Sequence, residues 1–142
     1  TTCASTTVTL KTASVAPTSA AASPAAVCPS GSSILTYSGG SLGTGATAKW
    51  YTGSCGGSLV GTGNSLSVSP TATTTYYVRY EGDCNTTTCA STTVTMNVVP
   101  AISVHPASTA TCAGSNTTFG VTATGTGLST KKLRPAGPAF LV

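Results

Sequence analysis

Few side chains in this sequence could move a proton or attack a carbonyl. His105 is the single histidine, and Glu81 and Asp83 are the only carboxylates. A Ser-His-Asp triad would have to join His105, in Val104-His105-Pro106, to Asp83 or Glu81 from a distant part of the sequence. Paired glycosidase carboxylates face each other across a cleft, whereas Glu81 and Asp83 are near neighbours on what reads as one hairpin. His105 is therefore expected on a surface or linker, and the two acids as solvated turn residues. Catalysis through this set is disfavoured, and no metal or cofactor is expected.

The six cysteines, Cys3, Cys28, Cys55, Cys84, Cys89 and Cys112, are the larger chemical resource. None of them forms the Cys-x-x-Cys pair common in zinc sites, so structural disulfides are expected rather than metal ligation. Tyrosine offers a third chemistry. Tyr51, Tyr77 and Tyr80 would stack on sugar rings if exposed, since each joins an apolar face to a polar tip.

A repeat governs where these residues fall. Thr1 to Thr9 reads Thr-Thr-Cys-Ala-Ser-Thr-Thr-Val-Thr and returns unchanged as Thr87 to Thr95, 86 positions later. A weaker echo sets Ala26 to Gly31 against Ala110 to Ser115, placing Cys112 84 positions after Cys28. Periods of this length suit an all-β module rather than a short solenoid unit. Charged residues are only 6 % of the chain, against roughly 25 % in an average soluble domain, so the surface is neutral and hydroxylated. Thr and Val favour strands, which separates the chain from disordered Ser/Thr tracts. Aromatics are also 6 %, so the core is thin and disulfides are expected to supplement it. Of the +4 net charge, Lys131, Lys132 and Arg134 stand near the C-terminal end. The remainder, Lys11, Lys49 and Arg79 against Glu81 and Asp83, forms no clustered basic face, so no nucleic-acid partner is expected. No apolar run approaches a membrane span, and no membrane insertion is expected. A cysteine-rich, lysine-poor composition points to an oxidising, extracellular or cell-surface setting.

Taken in order, Ala4 to Leu10 alternates as a half-buried strand with Val8 and Leu10 inward. Residues 1–10 are expected as the last strand of a preceding module, and 11–24, with Pro17 and Pro24, as a linker. Residues 25–99 form the complete module. Its expected strands are Ala25 to Val27, Ser33 to Tyr37 with Leu35 and Tyr37 inward, Ala46 to Tyr51 around the only tryptophan, Trp50, and Ser58 to Val60. After these come Ser65 to Ser69, Thr74 to Glu81 with Tyr76, Val78 and Tyr80 inward, and Ala90 to Val99. Residues 100–130 open a following module, with Phe119, Val121 and Ala123 inward. Residues 131–142 break the pattern, and are expected to be vector-derived or frame-shifted. The fold class is all-β: a Greek-key sandwich, one complete module flanked by partial ones.

Lys49-Trp50-Tyr51, Gly56-Gly57, Gly61-Thr62-Gly63, Thr74-Thr75-Tyr76-Tyr77-Val78 and Ser91-Thr92-Thr93-Val94-Thr95 together resemble the immunoglobulin-like tandem repeats of large secreted and surface proteins of Bacteroidetes. That resemblance covers Ala25 to Val99 and implies extracellular tandem display, often in adhesins, rather than a catalytic site. In a sandwich of this order the turns after the first strand and after the Trp strand share one end. This favours Cys28 with Cys55 and Cys84 with Cys89, because bridged Cα atoms stand only about 4.4–6.8 Å apart. Cys3 and Cys112 would then be unpaired. The expected role is a structural or adhesive module, either a spacer or a displayed binding surface. The alternatives are a carbohydrate-binding module of a secreted enzyme and a small hydrolase built on the sandwich. Expected partners are an extracellular glycan and further copies of the chain, strand-swapped or head to tail through the partial modules.

Overall fold

The structure, a computed structural model, describes residues 3–129. The expected tail at 131–142 lies outside them. The chain divides into two compact units, Thr1–Asn97 and Val98–Val142.

The first unit carries two sheets. One has three strands in the order β1 (Ser19–Ser23), β3 (Ser33–Ser38), β6 (Ser65–Val68). The other has five, in the order β2 (Ala26–Val27), β8 (Ala90–Met96), β7 (Thr74–Glu81), β4 (Thr47–Thr52), β5 (Ser58–Thr62). Every pairing is antiparallel except β2 with β8, which run parallel through Ala26–Thr95 and Val27–Met96. This is an immunoglobulin-like β-sandwich.

Strand β7 explains why the sheets pack. Its alternation Tyr76, Val78, Tyr80 points inward and is buried, while Tyr77, Arg79 and Glu81 take the outer face half-buried. A period of two places one apolar row on the core side of the sheet. Trp50 on β4 stands opposite Val78 and is wholly buried, as are Leu35 on β3 and Val94 on β8. Each such side chain contributes about 1.5–3 kcal/mol by leaving water. Trp50 keeps its polar edge satisfied by donating Nε1–H to the Gly63 carbonyl at 3.1 Å. Tyr37 closes the remaining gap, its ring edge-on to Tyr80 at 5.4 Å and tilted against Trp50 at 6.3 Å.

The stretch 11–24, expected as a linker, belongs to this sandwich. Residues Ser19–Ser23 form β1, paired with β3 from Ser19–Ser38 to Ser23–Ile34. Before it, Val15 exchanges two backbone hydrogen bonds with Ser41. The buried Ser14 receives the Asn85 amide N–H on its carbonyl at 2.9 Å and donates its own N–H to Asn85 Oδ1 at 2.8 Å. Proline at 17 and 24 is compatible with this because both residues flank β1 rather than interrupt it. Conversely, Ala4 to Leu10 is no strand here: Val8 and Leu10 are almost fully exposed. The identical sequence Ala4–Thr9 and Ala90–Thr95 is therefore strand at one place and irregular at the other.

The second unit contains β9 (Ala101–Val104) and β10 (Thr122–Thr124), paired antiparallel. Only Thr122–Thr124 of the strand expected around Phe119 and Val121 is formed, and both of those side chains are exposed. The register is informative. Moved back by the 84 positions between Cys28 and Cys112, the pair Ile102–Ala123 falls on Thr18–Gly39. That is the step continuing the β1–β3 ladder beyond Ser19–Ser38.

Candidate functional site

Among the described residues, the largest cluster of charged side chains, Lys49, Arg79 and Glu81, lies on the outer face of the five-stranded sheet. The pleat that sends Trp50, Val78 and Tyr80 inward sends Lys49, Tyr51, Arg79 and Glu81 outward. Register sets Lys49 beside Arg79 and Tyr51 beside Tyr77. Glu81 collects the donors. Its Oε2 accepts from Lys49 Nζ at 2.7 Å, and its Oε1 accepts from the Tyr51 hydroxyl, from Arg79 Nε at 2.8 Å and from Arg79 Nη2 at 2.7 Å. Hydrogen bonds from Lys49 first and Tyr51 next hold the Glu81 carboxyl at about 2, below its ordinary value of 4.5. The same contacts raise Lys49 and Arg79, and burial raises the Tyr51 hydroxyl. A carboxylate so fully engaged is no base at neutral pH. Its chemistry is that of a brace linking β4 to β7.

An exposed turn that covers Arg79 completes the cluster. The Arg79 guanidinium stands 5.0 Å from the Tyr51 ring centre, in cation–π geometry. On its other side comes the β4–β5 turn: a Cβ added to Gly56 would lie 2.5 Å from Arg79 Nη1. Gly56 also has a φ of +83°, so glycine is required both for the backbone and for the approach. The turn is fixed there by a disulfide from Cys55 to Cys89, with Cα atoms 5.9 Å apart.

This bond replaces both expected pairings, and strand order gives the reason. Cys28 follows the edge strand β2, three strand spacings from β4, or about 14 Å. That is too far for Cys55 to reach. Cys89, which precedes Ala90 opposite Val78, sits only two spacings from β4, and the turn bearing Cys55 folds across the face to meet it. Cys84 stands in the β7–β8 tip, beyond the Glu81–Thr86 bridge. Cys28 and Cys84 are exposed free thiols, as are Cys3 and Cys112.

The remaining candidates scatter. Asp83, two residues after Glu81, pairs with Lys11 at 2.8 Å on the surface and takes no part in the brace, and His105 is exposed after β9 in the second unit. Glu81 is thus no solvated turn residue but a half-buried member of β7. Tyr51 and Tyr80 do not display rings for sugars: Tyr51 is under the Arg79 cover at 7 % exposure, and Tyr80 is in the core with its hydroxyl donated to the Gly39 carbonyl. Tyr77 alone stays half-exposed. Gly39-Gly40-Ser41-Leu42-Gly43 has the spacing of a nucleophile elbow, but Ser41 is tied to Val15 in the β3–β4 connection and leads into a strand, not a helix. Among the described residues no group of three or more His, Cys, Asp or Glu is placed to hold a metal ion. Ser14 and Asn85 pin the start of the domain; Asn85-Thr86-Thr87 reads as a glycosylation sequon, and only its place in a turn-rich run pointed to a fixed loop.

No curated protein and no solved structure matches the chain. Residues 14–100 match the family described as "Ig-like domain CHU_C associated". The match begins at the residue that Asn85 fixes and encloses both packed sheets, from β1 to β8, and the chain belongs to this family of Ig-like domains.

Proposed function

We propose that the chain is part of a tandem row of Ig-like modules on an extracellular bacterial protein of the Bacteroidetes type, where the complete domain serves as a spacer or displayed surface. The observation that carries this reading is the recurrence of register. Two of the three β9–β10 pairs, Ile102–Ala123 and Ala101–Thr124, lie 84 positions on from the steps that extend the β1–β3 ladder beyond Ser19–Ser38, and the nonapeptide at Thr1 recurs 86 positions on as Thr87 to Thr95, which takes in most of β8. The Cys55–Cys89 bond favours an oxidising compartment, as does the low charge. No helix of the described residues is long and apolar enough to cross a membrane. An adhesive role would use the outer sheet face around Tyr77 and the Arg79 cover.

Antibodies against the first unit, applied to intact source cells, test the location. The expected result is labelling without permeabilisation, together with modification of Cys28 and Cys84 by a membrane-impermeant maleimide. Labelling confined to lysed cells would overturn the reading.

A further inference from the structure

The chain enters the first unit at one pole and leaves it at the other. At the leading pole Ser14 is bonded to Asn85 in the β7–β8 connection, Thr44 N–H donates to the Thr12 carbonyl, and Val15 is paired with Ser41. Strand β8 starts at that pole and runs away from it, parallel to β2. At the trailing pole Thr95 N–H donates to the Ala25 carbonyl at 2.9 Å and Asn97 N–H donates to the Val27 carbonyl at 2.8 Å. A pull on the two ends therefore draws β1 and β2 one way and β8 the other.

We propose that the first unit is a load-bearing module: its terminal strands resist stretching in shear, and the Cys55–Cys89 bond limits how far it can extend. The inference rests on the spacer reading, in which each module transmits tension to the next. Its physical basis is the direction of loading. Hydrogen bonds that run across the line of force are strained together, whereas bonds at the end of a ladder peel one at a time. The β1–β3 pairs from Ser19–Ser38 to Ser23–Ile34 and the parallel β2–β8 pairs all take the first geometry. The buried Val27 adds its packing to the β2–β8 contact. If these strands part, β8 can be drawn out only as far as Cys89, and the opposite side only as far as Cys55. The loop spanning the 34-residue separation of the two cysteines stays closed. At about 3.3–3.6 Å per extended residue, that withholds roughly 110–120 Å of length from each module.

Single-molecule stretching of the full chain tests this, with Cys3, Cys84 and Cys112 replaced by serine. Handles on the two termini load β2 against β8 in shear. Handles on Cys28, which follows β2, and on the C-terminus, which pulls on the chain leaving β8, peel the same two strands. The expected result is a several-fold higher opening force in the first geometry. Asn97→Pro, which removes one donor just beyond β8, should lower that force while leaving the thermal midpoint nearly unchanged. Reductant should lengthen the stretched unit by roughly 110 Å. Equal forces in the two geometries, or an Asn97→Pro force equal to that of the parent, would overturn the clamp; equal lengths with and without reductant would overturn the stop. None of these results touches the cell-labelling outcome, so the failure of this inference and of the spacer reading are read separately.

Discussion

Glu81 shows how one residue can be chemically conspicuous and still be structural. Its side chain keeps only 21 % of its surface exposed, and three neighbours donate to it. Because those donors hold the folded carboxyl near 2 while the unfolded one titrates at its ordinary 4.5, the brace is fully present above about pH 5 and is lost as pH falls toward 2. Thermal melts followed by Trp50 fluorescence should show stability level at neutral pH and declining by about 2 kcal/mol over that acid window. Glu81→Gln should cost about 1–3 kcal/mol at pH 7, because Lys49 and Arg79 keep their charges without a counter-ion. Its acid limb should be correspondingly flatter. A parallel acid limb in the variant would mean that another group titrates. Gly56→Ala meets both a disallowed φ and the Arg79 guanidinium, and is expected to lower stability by about 1–2 kcal/mol in the same assay.

At the scale of the element, the disulfide joins a turn to a strand rather than sheet to sheet. The two sheets are held by an apolar core centred on Trp50, Leu35, Val78 and Val94, and the Cys55–Cys89 bond acts on the outer face. Closing a loop of 34 residues stabilises by about 3–4 kcal/mol in the chain-entropy account. Reduction should therefore lower the midpoint by roughly 10–20 °C. Cys28→Ser and Cys84→Ser should leave it unchanged, and peptide mapping should recover Cys55 linked to Cys89. Much of this architecture was legible in the sequence. The bounds of β7 and the inward row Tyr76, Val78, Tyr80 follow from aromatic alternation, and Trp50 is the core residue its rarity suggests. β1 was not legible, because Ser-Ala-Ala-Ala-Ser has weak strand propensity and owes its conformation to pairing with β3. The disulfide was not legible either. Loop ends can be assigned to poles from topology, but a turn that folds back across a sheet face moves its cysteine off the pole. The brace was half legible: alternation places Arg79 and Glu81 on one outer face, while Lys49 and Tyr51 join them only once the β4–β7 register is fixed.

For the whole molecule, the decisive question is where the folding unit begins. Residues 3–10 contribute nothing visible to the first unit, since Val8 and Leu10 are exposed and unpaired. The next four residues differ sharply. Lys11 reaches Asp83 on the surface, a contact worth little by itself. Thr12 exchanges bonds with Thr44, and the buried Ser14 accepts Gly43 N–H on Oγ while its backbone satisfies the Asn85 side chain twice. Deleting residues 1–10 should thus leave the midpoint of the first unit where it is. Deleting residues 1–14 should lower stability by about 2–4 kcal/mol, because Asn85 and the Gly43 N–H lose their partners in a half-buried setting. Removing 98–142 should leave the midpoint of the first unit unchanged, since its core residues all lie between Val27 and Val94. Calorimetry on the three truncations measures this directly. If instead loss of residues 1–10 destabilised as much as loss of 1–14, the boundary at Ser14 would be wrong and the exposed nonapeptide would be a working strand of the fold.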